Sequence, residues 1–449
     1  MEPRQKGALR GHKNPITCTI VFKDHKRNCN TLVTSDNEGW VAWWDISTKR
    51  PLGVWRAHSN SILSVVQIDH NLLLTHGKDS CVRIWVLTQF EGFSRTFPAE
   101  NHTDSGSHRW PEYVEIPVNT LNFCNVCYLD GKLITPATQD SNNFDIYSIF
   151  PASAAHFPDI ELRLSLRRIV ANADPLALHK KAKSKENSSM GIEFEISDDN
   201  SKRDGFGIMM KVVFVSPTLF YIGYESGHII GFSLTEHKPN VNVKSKEGTT
   251  KAFDASFINK EPTVEVIYIS AFHCPHPITA LFYHDKLYAG SAGKKLSIHT
   301  KQSSIAEEPV IENHNLKIAG VQDIAVLPEL AIVAFWNGVV KGYEIQSTEA
   351  ASNQSELTTD FSTELNTVSQ FKPAWKMSRD VPRIGTLESN NGQKEAQELP
   401  TKVKANTLCT LKSSAITHSS YRDLVRARQV SPRLLAVGYA DGVTIMYEI

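Results

Sequence analysis

The sequence predicts an all-β fold closed into a ring of seven four-stranded blades, on three observations. A short strand signature recurs seven times, each copy running from a polar turn that ends in Gly or Ser into a β-rich stretch that closes on a ring side chain. Two copies follow a residue pair ending in His, Gly11-His12 and Ala57-His58. The last copy stops at Ile449 with no outer strand after it, while residues 5–10 supply a spare strand ahead of the first.

The clearest copies read SDNEGWVAWWDI (35–46) and GKDSCVRIWV (77–86). Five more fit the frame: QDSNNFDIYSI (139–149), YESGHIIGFSL (224–234), SAGKKLSIHT (291–300), FWNGVVKGYEI (335–345) and YADGVTIMYEI (439–449). Their closing rings are Trp44, Trp85, Tyr147, Phe232, His299, Tyr343 and Tyr447. A bare blade of this kind takes about 40–45 residues. The spacing is 41 between Trp44 and Trp85 and 44 between His299 and Tyr343. It reaches 104 between Tyr343 and Tyr447, so the excess there is inserted chain.

The signature has a local cause. Strands b and c of a blade form a hairpin, and its polar turn needs a residue at positive φ. The ring at the end of strand c packs between blades. A Trp there must satisfy its indole N–H, which a Ser/Thr–His–Asp network can do. Trp44 with His12, and Trp85 with His58, suit such networks; Asp79 and Asp441 stand in b–c turns. Tyr, Phe and His cannot reproduce the indole bond. The first two blades are therefore expected to be regular and the later ones looser, with all these residues in structural roles. An open ring would expose a sheet edge, so the N-terminal strand is expected to pair with residues 443–449. This is the WD40-type β-propeller.

Composition limits the function. Lys+Arg and Asp+Glu are both 48, so the formal net charge is zero. That argues against strong electrostatic capture of nucleic acid. No apolar run is long enough for a membrane span, and the opening residues lack a signal-peptide core. Seven cysteines without such a leader suggest a reducing compartment.

Four polar stretches interrupt the repeats, near residues 88–116, 171–203, 236–262 and 346–407. They are expected to be mobile loops on the rim or faces, because they cannot bury enough apolar surface alone. Trp110 and Tyr113 break the pattern of the first; Phe371, Trp375 and Ile384 break that of the last. They read either as outer strands packing on their blades or, for Trp110, Tyr113 and Trp375, as aromatic anchors for a partner. Lys180, Lys181, Lys183 and Lys185 read as a solvated loop or an import signal. The run at 421–428 has room for one or two helical turns.

No catalytic constellation emerges. G-x-S-x-G, H-E-x-x-H and G-x-G-x-x-G are all absent, and Gly293-Lys294 lacks the earlier Gly and following Ser or Thr of a phosphate loop. Cys124 and Cys127 form a lone CxxC in a strand-like stretch, where residues three apart face opposite ways. Cys274-Pro275-His276 has no second ligand pair at a zinc-like spacing. No metal, no cofactor and no enzymatic activity are expected.

The segments LLTHGKDSCVRIW (73–85), LNFC (121–124), IGYESGHIIGF (222–232) and YAGSAGKKLSI (288–298) carry a more specific likeness. Through them the chain resembles the fungal ASTRA-associated WD-repeat proteins and their animal counterpart, the G-protein β-subunit-like WD-repeat protein. The resemblance covers most of the chain and none of residues 346–407. It implies a scaffold beside the Tel–Tti co-chaperone, RuvB-like ATPases and phosphatidylinositol-3-kinase-related kinases, supporting the folding and assembly of those kinases, with a link to chromatin remodelling. It implies residence in the nucleus and also the cytoplasm, without direct contact to nucleic acid or membrane. A ubiquitin-ligase substrate receptor is the alternative, but Trp44-Asp45-Ile46-Ser47 lacks the Arg of the Trp-Asp-x-Arg motif. A G-protein β subunit would need N-terminal heptads before Gly11.

Overall fold

A computed structural model describes residues 2–24, 29–87, 94–97, 112–119, 121, 123–151, 164–186, 205–236, 262–300, 311–345, 371–388, 394–412 and 433–449. Strand β1 (Arg4–Leu9) comes first. Blade one holds β2 (Ile16–Asp24), β3 (Cys29–Asp36), β4 (Trp40–Asp45) and β5 (Arg50–Arg56). Blade two holds β6 (Ile62–Asp69), β7 (Leu72–Gly77), β8 (Cys81–Val86) and β9 (Glu112–Pro117). Blade three holds β10 (Cys127–Leu129), β11 (Lys132–Pro136), β12 (Phe144–Pro151) and β13 (Leu164–Ala173), followed by helix α1 (Pro175–Glu186). Blade four holds β14 (Met209–Ser216), β15 (Leu219–Tyr224), β16 (Ile229–Thr235) and β17 (Thr263–Ser270). Blade five holds β18 (Ile278–His284), β19 (Lys286–Ser291), β20 (Lys295–His299) and β21 (Ile311–Asn315).

Blade six begins with β22 (Val321–Leu327), β23 (Leu330–Phe335) and β24 (Val339–Glu344) and gains a fifth strand. Its outer strand β25 (Lys372–Glu388) pairs with β24 up to Ser378, then from Arg379 onward with β26 (Lys394–Val403). Blade seven is β27 (Ala405–Lys412), β28 (Arg433–Tyr439) and β29 (Thr444–Glu448), completed by β1. The chain's two ends thus share one sheet, with Arg4 opposite Glu448 and Leu9 opposite Thr444. Lys6 pairs with Glu448 at 2.5 Å across the junction, and Leu9 is buried.

Side chains lace the innermost strands together around the ring. The Cys18 thiol donates to the Leu63 carbonyl, and Ser64 Oγ accepts the Val126 N–H. Asn125 holds both backbone groups of Val212. Thr279 donates to the Val321 carbonyl at 2.7 Å, Asp323 accepts the Leu408 N–H at 2.7 Å, and Asn406 donates to the Ile16 carbonyl at 2.8 Å. Among the described residues six of the seven seams are bridged in this way, which satisfies polar groups that packing would otherwise bury unpaired.

Parts of the inserts expected to be loops are strand or helix. Residues 112–116 belong to β9 and residues 171–173 to β13. Residues 175–186 form α1, started by Asp174, whose carboxylate accepts the Leu176 N–H at 2.9 Å, and by Pro175 at the first helical position. The helix buries His179 and Pro175 against blade four, with Leu176 and Leu178 half-buried. Most of residues 346–407 that are described lie in β25, β26 and β27. The cause is a period-two pattern: Trp375, Met377, Arg379 and Val381 turn inward, whereas Lys376, Ser378, Asp380 and Pro382 are exposed. Composition hid this pattern. Of the stretch 236–262, residues 237–261 lie outside the described residues, as do residues 421–428.

Candidate partner-binding face

Antiparallel order fixes two faces. In each four-stranded blade the b–c turn and the link from the outer strand to the next blade emerge at one end, and the a–b and c–d connections at the other. The first end, here the turn face, carries α1 and the projecting part of β25 with β26. Large apolar side chains are exposed there: Leu121 at 73%, Phe123 at 54% and Trp336 at 46%. Lys78 Nζ stands 4.5 Å from the centre of the Phe123 ring. Phe123 also lines the central channel, a cavity of about 400 Å³ with Lys211 and Asp323 in its wall. Burial raises the Asp323 carboxyl above its usual range, partly offset by the Leu408 amide.

On the turn face the two most regular blades are tied to their preceding links by buried hydrogen-bond networks. In blade one Trp44 Nε1 donates to Thr34 Oγ1 at 2.7 Å; His12 lies 2.8 Å from that hydroxyl and 2.7 Å from Asp36. Blade two repeats it: Trp85 Nε1 to Thr75 Oγ1 at 2.8 Å, then His58 at 2.7 Å, then Asp79 at 2.7 Å. The indole can only donate and the carboxylate only accept. Each Thr hydroxyl therefore donates to His Nε2, and each Nδ1–H donates to Asp. Beside these networks the turn glycines sit at positive φ, Gly39 at 86° and Gly442 at 79°. A Cβ on Gly39 would fall 2.0 Å from the His58 carbonyl oxygen, so no larger residue fits under the link to blade two.

Blade five corrects the expectation that a His at the closing position leaves a blade loosely wired. His299 Nε2 meets Ser297 Oγ at 2.6 Å, and the same hydroxyl meets His273 Nε2 at 2.7 Å. His273 Nδ1 continues to Ser291 at 3.0 Å, and His299 Nδ1 contacts the Tyr268 hydroxyl. A serine relay replaces the indole bond. Burial, the largest cause, lowers His273 to about 4 and His299 to about 3. The other closing rings depart from the indole scheme in different ways. Tyr147 reaches Asp145 at 3.5 Å, Phe232 stacks on Phe220 at 5.3 Å, and Tyr447 bonds Tyr439 at 3.0 Å. The buried Tyr343 hydroxyl has no partner among the described residues. Asp441 pairs with Arg379.

The two candidate anchors that are described, Tyr113 in blade two and Trp375 in blade six, are not brought together. Trp110 lies outside the described residues. Tyr113 is in β9, half exposed, with its ring 4.7 Å from that of Trp85 and under Arg83. Trp375 does not fit the role of an anchor. It is 7% exposed in β25, pressed on Gly342, so a partner could not reach it without unpacking blade six. Lys180 and Lys181 are exposed on α1 and Lys183 is half-buried.

Sequence reasoning missed Thr34, Asp36, Thr75, His273, Ser291 and Ser297. A signal was present for two of them: Thr34 and Thr75 each precede their Trp by ten residues. Among the described residues, His58, Asp79 and Cys81 are the one group whose donor atoms cluster closely enough to suggest a metal. Burial and then Asp79 push the Cys81 thiol up to about 12, and the His58 ring is committed to Thr75 and Asp79. That triangle is a blade-closing network. No helix among the described residues is long and apolar enough to cross a membrane.

Comparisons with known proteins converge. The family model described as ASTRA-associated protein 1 matches residues 5–447. A protein of that name from Meyerozyma guilliermondii is 94% identical over 449 residues, all of both chains. Its namesake from Debaryomyces hansenii is 36% identical, again over the full length of both. A crystal structure of Chaetomium thermophilum Raptor matches with a TM-score of 0.50 at 11% identity, over 99% of this chain and 29% of that one, a likeness of fold alone. The seven-bladed ring, matched by its family model from the first strand to the last, belongs to the ASTRA-associated protein 1 family.

Proposed function

We propose that this propeller is a non-catalytic scaffold subunit of an ASTRA-type assembly. In that role it supports, with a Tel–Tti-type co-chaperone, the folding and assembly of phosphatidylinositol-3-kinase-related kinases, beside RuvB-like ATPases. The family match over residues 5–447 carries this reading. The form of the molecule supports it: a ring laced at six seams holds its turn face rigid, and that face displays a projecting hairpin, a helix and exposed aromatic side chains. A rigid platform presents several partners with preformed surfaces and loses little entropy on binding. We infer for this role residence in the nucleus and also in the cytoplasm, with a link to chromatin remodelling.

Affinity purification of the tagged full-length chain from its own cells, followed by mass spectrometry of nuclear and cytoplasmic fractions, tests the proposal. Recovery of the co-chaperone, the ATPases and a kinase of this class is expected. Recovery of a cullin adaptor, or of no common partner, overturns it.

A further inference from the structure

On blades five and six the turn face gathers five lysines around one exposed indole. The Lys294 carbonyl accepts the Leu316 N–H, which places Lys317 beside it, and Lys295 sits opposite Asn315 in the β20–β21 ladder. The Gly293 carbonyl accepts the Gly320 N–H, and the Gly320 carbonyl accepts the Trp336 N–H. Lys341 and Lys376 are directly opposed across β24 and β25. They and Lys317 lie close enough for the two neighbours to lower Lys341, after burial as the main cause. Lys294, Lys295, Lys317 and Lys376 are exposed. Among the described residues no carboxylate pairs with any of the five, although the chain as a whole is neutral. By contrast Lys286 is matched with Glu312, Lys372 with Glu344 and Arg379 with Asp441.

Like charges set side by side in a balanced protein cost stability. Here they flank a cavity of about 420 Å³ lined by Phe272, Cys274, His276, Gly293, Lys294 and Lys295. Lys295 Nζ lies 4.9 Å from the Phe272 ring centre and Lys341 Nζ 6.0 Å from that of Phe335, so aromatic faces hold the cations in place. We propose that this sector is a docking site for an acidic peptide segment of a partner protein, with its carboxylates on the lysines and one apolar side chain against Trp336 or in the cavity.

The site favours a peptide over nucleic acid. Its cations occupy one and a half blades rather than a track that could follow a phosphate backbone, and the cavity beside them has room for an apolar side chain. The site adds the chemistry of a surface to the scaffold reading on which it rests, and it is tested without any member of the assembly.

The test is fluorescence anisotropy of the full-length protein with a labelled dodecapeptide of Glu and Asp carrying one central Phe. A labelled oligothymidylate of equal length runs in parallel. Saturable peptide binding that weakens as salt rises is expected. The pair Lys317→Glu with Lys376→Glu should weaken it at least tenfold and Trp336→Ala at least threefold, with thermal midpoints not lowered. Lys23→Glu, an exposed change on the opposite face, should have no effect. No peptide binding, equal losses from Lys23→Glu, or tighter binding of the oligothymidylate overturns the proposal. If the double variant is destabilised, Lys294→Gln with Lys317→Gln is read instead by the same criterion.

Discussion

Arg379 clamps Asp441 through two contacts of 2.6 and 3.0 Å, tying the point where β25 leaves blade six to the b–c turn of blade seven. The guanidinium also lies 5.5 Å from the Tyr439 ring centre. The side chains are 19% and 23% exposed, so the pair is partly shielded from water. Arg379→Ala is expected to lower stability by about 1 kcal/mol. Hydrogen exchange should quicken at residues 394–403 and not in blade two. A double-mutant cycle with Asp441→Ala should show a coupling of similar size.

Thr34 and Thr75 each serve as acceptor for an indole and donor to an imidazole. Replacing either with the isosteric Val strands two buried polar groups at once. The expected loss is about 2–4 kcal/mol for each, since an unpaired buried donor costs its full desolvation. Chemical denaturation measures it. Ser297→Ala should cost a similar amount, because it strands the Nε2 atoms of two buried imidazoles, His273 and His299.

Much of the ring was legible because its signal is local. A polar turn, a short apolar strand and a closing ring side chain recur wherever a b–c hairpin forms, and β1 was visible as a strand without a blade. The wiring was less legible. Trp–Thr–His–Asp could be anticipated from its donors and acceptors, but the relay through Ser297 depends on which hydroxyl the fold sets between two imidazoles. The polarity of β25 masks its strand period: Lys376, Ser378 and Asp380 are the solvent side of a strand, not marks of a loop. The lysine sector was invisible for a different reason. Its residues come from two turns, one link and three strands that only the ring brings together.

Trp375 separates a structural from a binding role. Its indole fills the space over Gly342, where an added Cβ would lie 2.4 Å from the ring. Trp375→Ala should cost about 3–5 kcal/mol, and Gly342→Ala should also destabilise by overpacking. Both effects should appear as lowered thermal midpoints in the isolated protein, with no partner present.

The junction of the termini predicts a sharp effect of a small deletion. β1 covers the otherwise open edge of β29 and inserts Leu9 into the core between blades seven and one. Removing residues 2–10 should lower the thermal midpoint by many degrees and promote association through the exposed edge, seen by light scattering. Joining the original ends by a short linker and opening the chain elsewhere should preserve stability, because the β1–β29 pairing is kept. A deletion that leaves the midpoint unchanged would mean that β1 does not hold the ring.

The imidazoles of blade five set a pH dependence. Burial holds His273 at about 4 and His299 at about 3, and His76 in β7 is also lowered to about 3. In the unfolded chain these rings titrate near their ordinary value of about 6.5. As pH falls below that value the unfolded state takes up protons that the folded state refuses, so stability declines. The decline should begin near pH 6.5 and continue until the folded rings protonate at about 4 and below, where it levels off. Urea unfolding at pH 7.5 and pH 5.0 reads the difference. His299→Phe, which places at this position the residue that blade four uses, should make the profile shallower while Thr34→Val leaves its slope unchanged.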